Sequence, residues 1–235
     1  MKKLGLVGGV GPASTLAYYK SINEDYQARI DDRSESGQNP PMVIDSLNLA
    51  VAYDLVSRQD WPAFSALFIA SIARLKAAGA EVAAISANTA HIVYDEIVAG
   101  AALPLIGIVD ETCKRAKALG CRRLMVFGTG FTMESGMYET QCARYNIEAA
   151  VPGEADRRAI HGIIFPNLEA GIVLPNDKAR MLEIARRCLN EYQADGLILG
   201  CTELPLIIKD GDLDTTLLDT TAIHIEAILD AMMEA

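Results

Sequence analysis

Short apolar runs alternate along this chain with longer stretches whose apolar residues recur at helical spacing. That alternation is the βα signature of a parallel sheet covered by helices, so an α/β fold is expected. KLGLVGG predicts a strand ending in glycines, and a helix follows from about Ser14 to Arg29. DDRSESGQNPP predicts a polar loop, and MVIDSLNL the next strand. WPAFSALFIASIARLKAAGA predicts a helix closed by Gly79, and EVAAIS a buried strand leading into Ala87. LPLIGIV predicts another strand, and DETCKRAKALGC a helix that opens on acidic residues and closes on Gly120. The second half runs through the strand RRLMVFG, the helix FTMESGMYETQCARYN and the short strand IEAAV. Helices around 155–170 and 175–193, the strand GLILG, a turn at Cys201 and a last helix after LLDTT complete it.

The second half repeats the first. VGGVGPASTLAYY laid on VFGTGFTMESGMY matches Gly9 to Gly128, Gly11 to Gly130 and Tyr19 to Tyr138. AEVAAISANT laid on ADGLILGCTE matches Ala80 to Ala194 and Glu81 to Asp195, and it sets Ala87 opposite Cys201. Two matches in the same order fit one duplication with small loop changes. Two related halves would face each other across a cleft, with ligands held outside the carboxyl ends of the strands. Four turns would converge there: 8–14, 87–91, 128–133 and 201–203. Asn88, Thr89, Thr129, Thr132 and Thr202 are short hydrogen-bonding side chains suited to a carboxylate, or simply to capping helices.

Composition narrows the function. A chain of 235 residues, 51% apolar and 22% charged, has room for one large α/β domain or two small ones. A formal charge of −10 argues against nucleic acid or an anionic membrane as partner. The apolar stretch near the amino terminus is short and broken by glycines, and no ~20-residue apolar segment follows, so a cytoplasmic protein is expected. Five cysteines without a C-x-x-C pair suggest neither a disulfide framework nor a zinc ribbon.

Of the five, Cys201 is the reactive candidate, because it stands at a strand tip before a helix, where the helix dipole favours thiolate. Glu203 close behind opposes that shift, yet it can accept or relay a proton. Cys113, Cys121, Cys142 and Cys188 fall on helices or their ends and are expected to be packing residues. GGVGPAS lacks the Gly-Lys-Ser/Thr ending of a P-loop, and Pro12 removes an N–H from its G-x-G-x-x-S run, which makes dinucleotide binding a poor fit. His91, His161 and His224 lack zinc spacing, so no metal is expected, and His91 and His224 are expected to fix loops.

GGVGPAST, ANTAH, GTGFTM, GCTELP and LDTTAIH resemble, in order, the signature segments of the aspartate/glutamate racemase family, across nearly the whole chain. The resemblance implies two pseudo-symmetric α/β domains, here 1–106 plus 216–235 and 107–215, with the active site between them. It also implies no cofactor and a homodimer acting on a small amino acid. One cysteine from each half would flank the substrate Cα, one removing the α-proton and the other returning one. Cys201 matches the second-half cysteine, and Asn88, Thr89, Thr129, Thr132 and Thr202 match positions that hold the α-carboxylate.

The first-half cysteine should stand at 87, where this chain has Ala87. A methyl group carries no proton. An introduced Cys→Ala change would explain it, as would a member that uses Ser86, Thr89, His91 or water on that face. So would one-sided chemistry of the kind performed by arylmalonate decarboxylase, or a binder that no longer turns over. The stretches where aspartate-specific members carry basic clamps read SLNLAVAYDL and LEAGIV, with Glu169 near the place of a lysine. Aspartate, glutamate and a neutral polar amino acid such as homoserine all remain open as substrates.

Overall fold

The computed structural model describes residues 1–30 and 38–234. Of the expected polar loop, 31–37 lie outside the described residues. The chain divides into two compact units, 1–107 with 224–235, and 108–223.

The first unit runs β1 (Leu4–Gly8), α1 (Pro12–Arg29), β2 (Met42–Ser46), α2 (Leu49–Ser57), α3 (Trp61–Ala77) and β3 (Val82–Ile85). A short 3-10 helix (Thr89–Val93), α4 (Tyr94–Gly100) and β4 (Leu105–Ile106) complete it. The second unit holds α5 (Ile108–Ala118), β5 (Arg123–Gly128), α6 (Gly130–Glu134), α7 (Met137–Ala143) and β6 (Glu148–Ala150). It continues through α8 (Glu154–Ile164), a 3-10 turn (Leu168–Ala170), α9 (Pro175–Tyr192), β7 (Gly196–Gly200), α10 (Leu204–Ile207) and β8 (Thr216–Asp219). The last helix, α11 (Thr220–Met233), begins in the second unit and returns to the first at His224.

Among the described residues the strands form two all-parallel four-stranded sheets, ordered β2-β1-β3-β4 and β6-β5-β7-β8. The order is the same in both, with β5 to β8 standing for β1 to β4. Sheet register tests the repeat residue by residue. Val7 pairs with Ile85, and Phe127 pairs with Leu199. Two residues further on stand Ala87 and Cys201, so the sheets place them in equivalent positions. The glycine match shifts by one, because Gly8 and Gly128 are the residues that end the two first strands.

Strands buried on both faces need helices on both sides, and the apolar runs supply them. Leu4, Leu6, Val82 and Ala84 pack with Tyr18, Ile22 and Tyr26 of α1 and Ile225, Ile228, Leu229 and Met232 of α11. Each such side chain taken from water contributes about 1.5–3 kcal/mol, enough to hold α11 on the first sheet although it starts in the second unit. In the second unit, Met125, Phe127, Leu197 and Leu199 pack with Ile160, Ile163 and Ile164 of α8 and Met181, Ile184 and Ala185 of α9.

Several boundaries depart from the pattern. β2 stops at Ser46, because the Asn48 side chain accepts from the Ala50 N–H at 2.9 Å and starts α2. LPLIGIV is a strand only over Leu105–Ile106. Ile108 and Val109 already belong to α5, so Asp110 and Glu111 sit in its first turn rather than at its cap. FTMESGMYETQCARYN is two helices, because Gly136 takes φ +71° between α6 and α7. The helix expected around 155–170 ends at Ile164, where the residue before Pro166 turns extended. The return to the first unit, expected at 216, comes at His224, because Thr216–Asp219 pairs with β7.

Candidate active site

At the end of β3, Ser86 is tied to the neighbouring strand twice. Its N–H and its hydroxyl both donate to the Val7 carbonyl, at 3.0 and 3.2 Å. Ala87 follows, 8% exposed, then Asn88 at 6%, with Thr89 half-buried. The turn is locked from beneath by His91, whose Nδ1–H donates to the Ala87 carbonyl at 3.0 Å and whose ring stacks on Tyr94. Burial lowers the His91 pKa to about 4. His224 meets His91 edge-on and is fixed by two bonds. Its Nε2–H donates to the Ile106 carbonyl at 3.0 Å, and its Nδ1 accepts from the Tyr18 hydroxyl at 2.8 Å. Burial, with His91 beside it, lowers the His224 pKa to about 3. Both imidazoles are therefore neutral near pH 7 and act as struts, as their spacing suggests.

The equivalent turn of the second unit presents a thiol and a carboxylate instead. Cys201 follows the buried strand β7 and joins the apolar cluster of that unit. Its thiol donates to Glu203 Oε2 at 2.9 Å, and Glu203 is 7% exposed. Burial pushes the thiol well above its ordinary range, and the Glu203 carboxylate pushes it further. The dipole argument from sequence is overturned here: α10 is four residues long and starts only at Leu204, too little to offset burial and an adjacent anion. Cys201 at rest is a protonated acid held by a base.

Two close approaches shape the neighbouring surface. A Cβ on Gly200 would stand 2.9 Å from the Phe127 carbonyl, and one on Gly128 would stand 2.8 Å from Thr132 Cγ2. With hydrogen at both positions, buried Thr132 lies over the tips of β5 and β7, against Gly200, the residue before Cys201. Thr129 caps α6, its hydroxyl accepting from the Thr132 N–H at 3.4 Å and lying 3.2 Å from the Thr132 hydroxyl. Thr202 is half-buried between Cys201 and Glu203. The second unit thus gathers Cys201, Glu203, Thr129, Thr132 and Thr202, while the first gathers Ala87, Asn88 and Thr89.

Two more groups complete the surroundings: Glu169, whose charge acts on the thiol, and His161, whose charge acts on Glu169. Glu169 rides on the 3-10 turn that packs against α10. Burial raises its pKa, Glu203 raises it further, and His161 opposes. His161, on α8, accepts from the Gly130 N–H through Nδ1 at 3.4 Å. Sequence spacing gives no sign of His161, which stands eight residues before Glu169 and acts on it across the chain turn between them. Among the described residues no group of three or more His, Cys, Asp or Glu side chains can hold a metal ion.

The family profile described as Asp/Glu/Hydantoin racemase matches residues 7–228. The chain belongs to the Asp/Glu/hydantoin racemase family. It is 24% identical over 221 residues to the broad specificity amino-acid racemase RacX of Bacillus subtilis, covering 93% of each chain. Among solved structures it resembles a candidate Asp/Glu racemase from Yersinia pestis, with a TM-score of 0.91 and 32% identity over the whole of both chains. An aspartate racemase homologue from Pyrococcus horikoshii OT3 is similar at a TM-score of 0.87 and 31% identity, again over both whole chains. Members of this racemase family are isomerases, and the fold of two parallel sheets is theirs. No helix among the described residues is long and apolar enough to cross a membrane.

Proposed function

We propose that this racemase-family chain acts on the Cα proton of a small polar amino acid without a cofactor, with Cys201 as acid/base on one face. The observation that carries the reading is the buried Cys201–Glu203 pair at a strand tip beside a threonine-lined turn. An amino acid's ammonium group beside this anionic pair offsets its charge, so the thiol proton passes to Glu203 and the thiolate takes the α-proton. Thr129, Thr132 and Thr202 of the second unit, and Asn88 and Thr89 of the first, are assigned to the α-carboxylate. Hydrogen bonding there disperses the carbanion's charge, the costly part of the reaction.

Inversion also needs a proton from the other side. In the first unit the equivalent position is Ala87, the Ser86 hydroxyl is committed to Val7, and the His91 Nδ1–H is committed to Ala87. That commitment favours one-sided chemistry as a second reading: α-proton exchange with little inversion, or a decarboxylation that needs a single protonation. A binder without turnover is the limit of the same reading. Glu169 and Glu203 together disfavour a substrate whose side chain brings a further carboxylate, since an unpaired anion is costly to desolvate. A neutral polar amino acid of the homoserine kind fits better than aspartate or glutamate. The substrate is tested by proton NMR in D₂O with a panel of L- and D-amino acids. Loss of the Cα–H signal supports the assignment, provided Cys201→Ser abolishes it, and carbon dioxide release marks the lyase.

A further inference from the structure

The four cysteines away from the candidate site are not alike. Cys113 on α5 and Cys142 on α7 are both fully buried, and their Sγ atoms stand 3.1 Å apart. That is about 1 Å more than the S–S bond length of ~2.05 Å. Cys121 and Cys188 are buried too, but among the described residues the close thiol pair is Cys113 with Cys142. The pair sits where two helices of the second unit pack against each other. α7 is a short helix of seven residues set off from α6 by Gly136, so small adjustments of α7 do not require α6 to move.

We infer that Cys113 and Cys142 are a redox-closable pair, joined as a disulfide when the chain meets a low-molecular-weight disulfide of the glutathione kind. One of the two thiols, as its thiolate, attacks the small disulfide and releases one glutathione thiolate. The other then attacks the mixed disulfide and releases the second. The pair loses two electrons and two protons, and two glutathione thiols are formed. Burial keeps both thiols from reagents in the closed fold, so closure proceeds while the chain folds or while α7 opens locally. The bond ties α5 to α7 across 29 positions of sequence and restricts the unfolded chain accordingly. Neither residue belongs to the proposed catalytic machinery, so the pair is a modification site separate from the racemase chemistry.

The test is refolding of the full chain from denaturant in glutathione buffers of increasing oxidised fraction. Thiols are then counted under denaturing conditions, and non-reducing peptide maps are taken. The expected result is a fall from five thiols to three, a single cross-linked peptide joining Cys113 to Cys142, and a melting temperature raised by roughly 5–10 °C. Cys113→Ser removes both the cross-link and the shift. Cys142→Ala repeats the test with a smaller side chain in case a buried serine prevents folding. Retention of all five thiols in the native refolded protein overturns the inference, as does a bond to Cys121 or Cys188 instead.

Discussion

The two strand-tip turns, 85–91 and 199–203, occupy equivalent places in equivalent sheets, yet one is a strut and the other holds the proposed acid/base. In the first, polar atoms are turned inward: Ser86 to Val7, His91 to the Ala87 carbonyl, His224 to Tyr18 and Ile106. In the second, a thiol and a carboxylate are bonded to each other beside a threonine turn. Strand register is shared, so the difference lies in side chains. The repeated sheet supplies two equivalent positions, and in the proposed chemistry whether each is used is decided by what can hold and release a proton there.

The largest expected effect is at the reactive turn. Cys201→Ser should lower Cα–H exchange by about 10²–10⁴-fold, the usual worth of a positioned acid/base, with the melting temperature little changed. Comparable exchange in that variant would mean the two turns do not differ in the way described.

The strut turn should reveal itself through pH. His91 and His224 have folded pKa values of about 4 and about 3, below the unfolded value of 6.5. Between those values the unfolded state binds more protons, so stability is fully present above pH 6.5 and is lost as pH falls towards 4. His91 alone is worth on the order of 3 kcal/mol across that window. Urea unfolding from pH 7 to 4 measures it, and His224→Phe should flatten part of the slope. An unchanged slope would remove the histidines as the cause.

Smaller effects sharpen the picture of the threonine turn. Thr129→Ala should cost about 1 kcal/mol through loss of the α6 cap and should weaken substrate binding as well. Unchanged substrate affinity would reduce Thr129 to capping only. Gly136→Ala should cost roughly 1 kcal/mol through its positive φ alone, because open space surrounds its Cβ position.

Much of this is legible in the sequence where burial is complete. The apolar runs of β1, β3, β5 and β7 announce strands covered on both faces, and the internal repeat by itself sets Ala87 opposite Cys201. What stays hidden is whatever depends on local competition. Ile108 and Val109 are as apolar as a strand residue but belong to a helix, since Gly107 ends the pairing. A helix dipole points to a lowered Cys201 pKa, whereas depth of burial and Glu203 decide it the other way. His161 and the Cys113–Cys142 pair are contacts between distant segments, which no local pattern encodes.

The most direct measurement is Cα–H exchange in D₂O, followed by chiral analysis, for this chain and for Ala87→Cys. If the two turns differ as described, exchange in the chain as it stands depends on Cys201 and gives little inversion. Inversion then rises by about 10²-fold or more once a thiol stands at 87. Full inversion with alanine at 87 and no gain from the added cysteine would contradict this, and would place the second proton donor elsewhere.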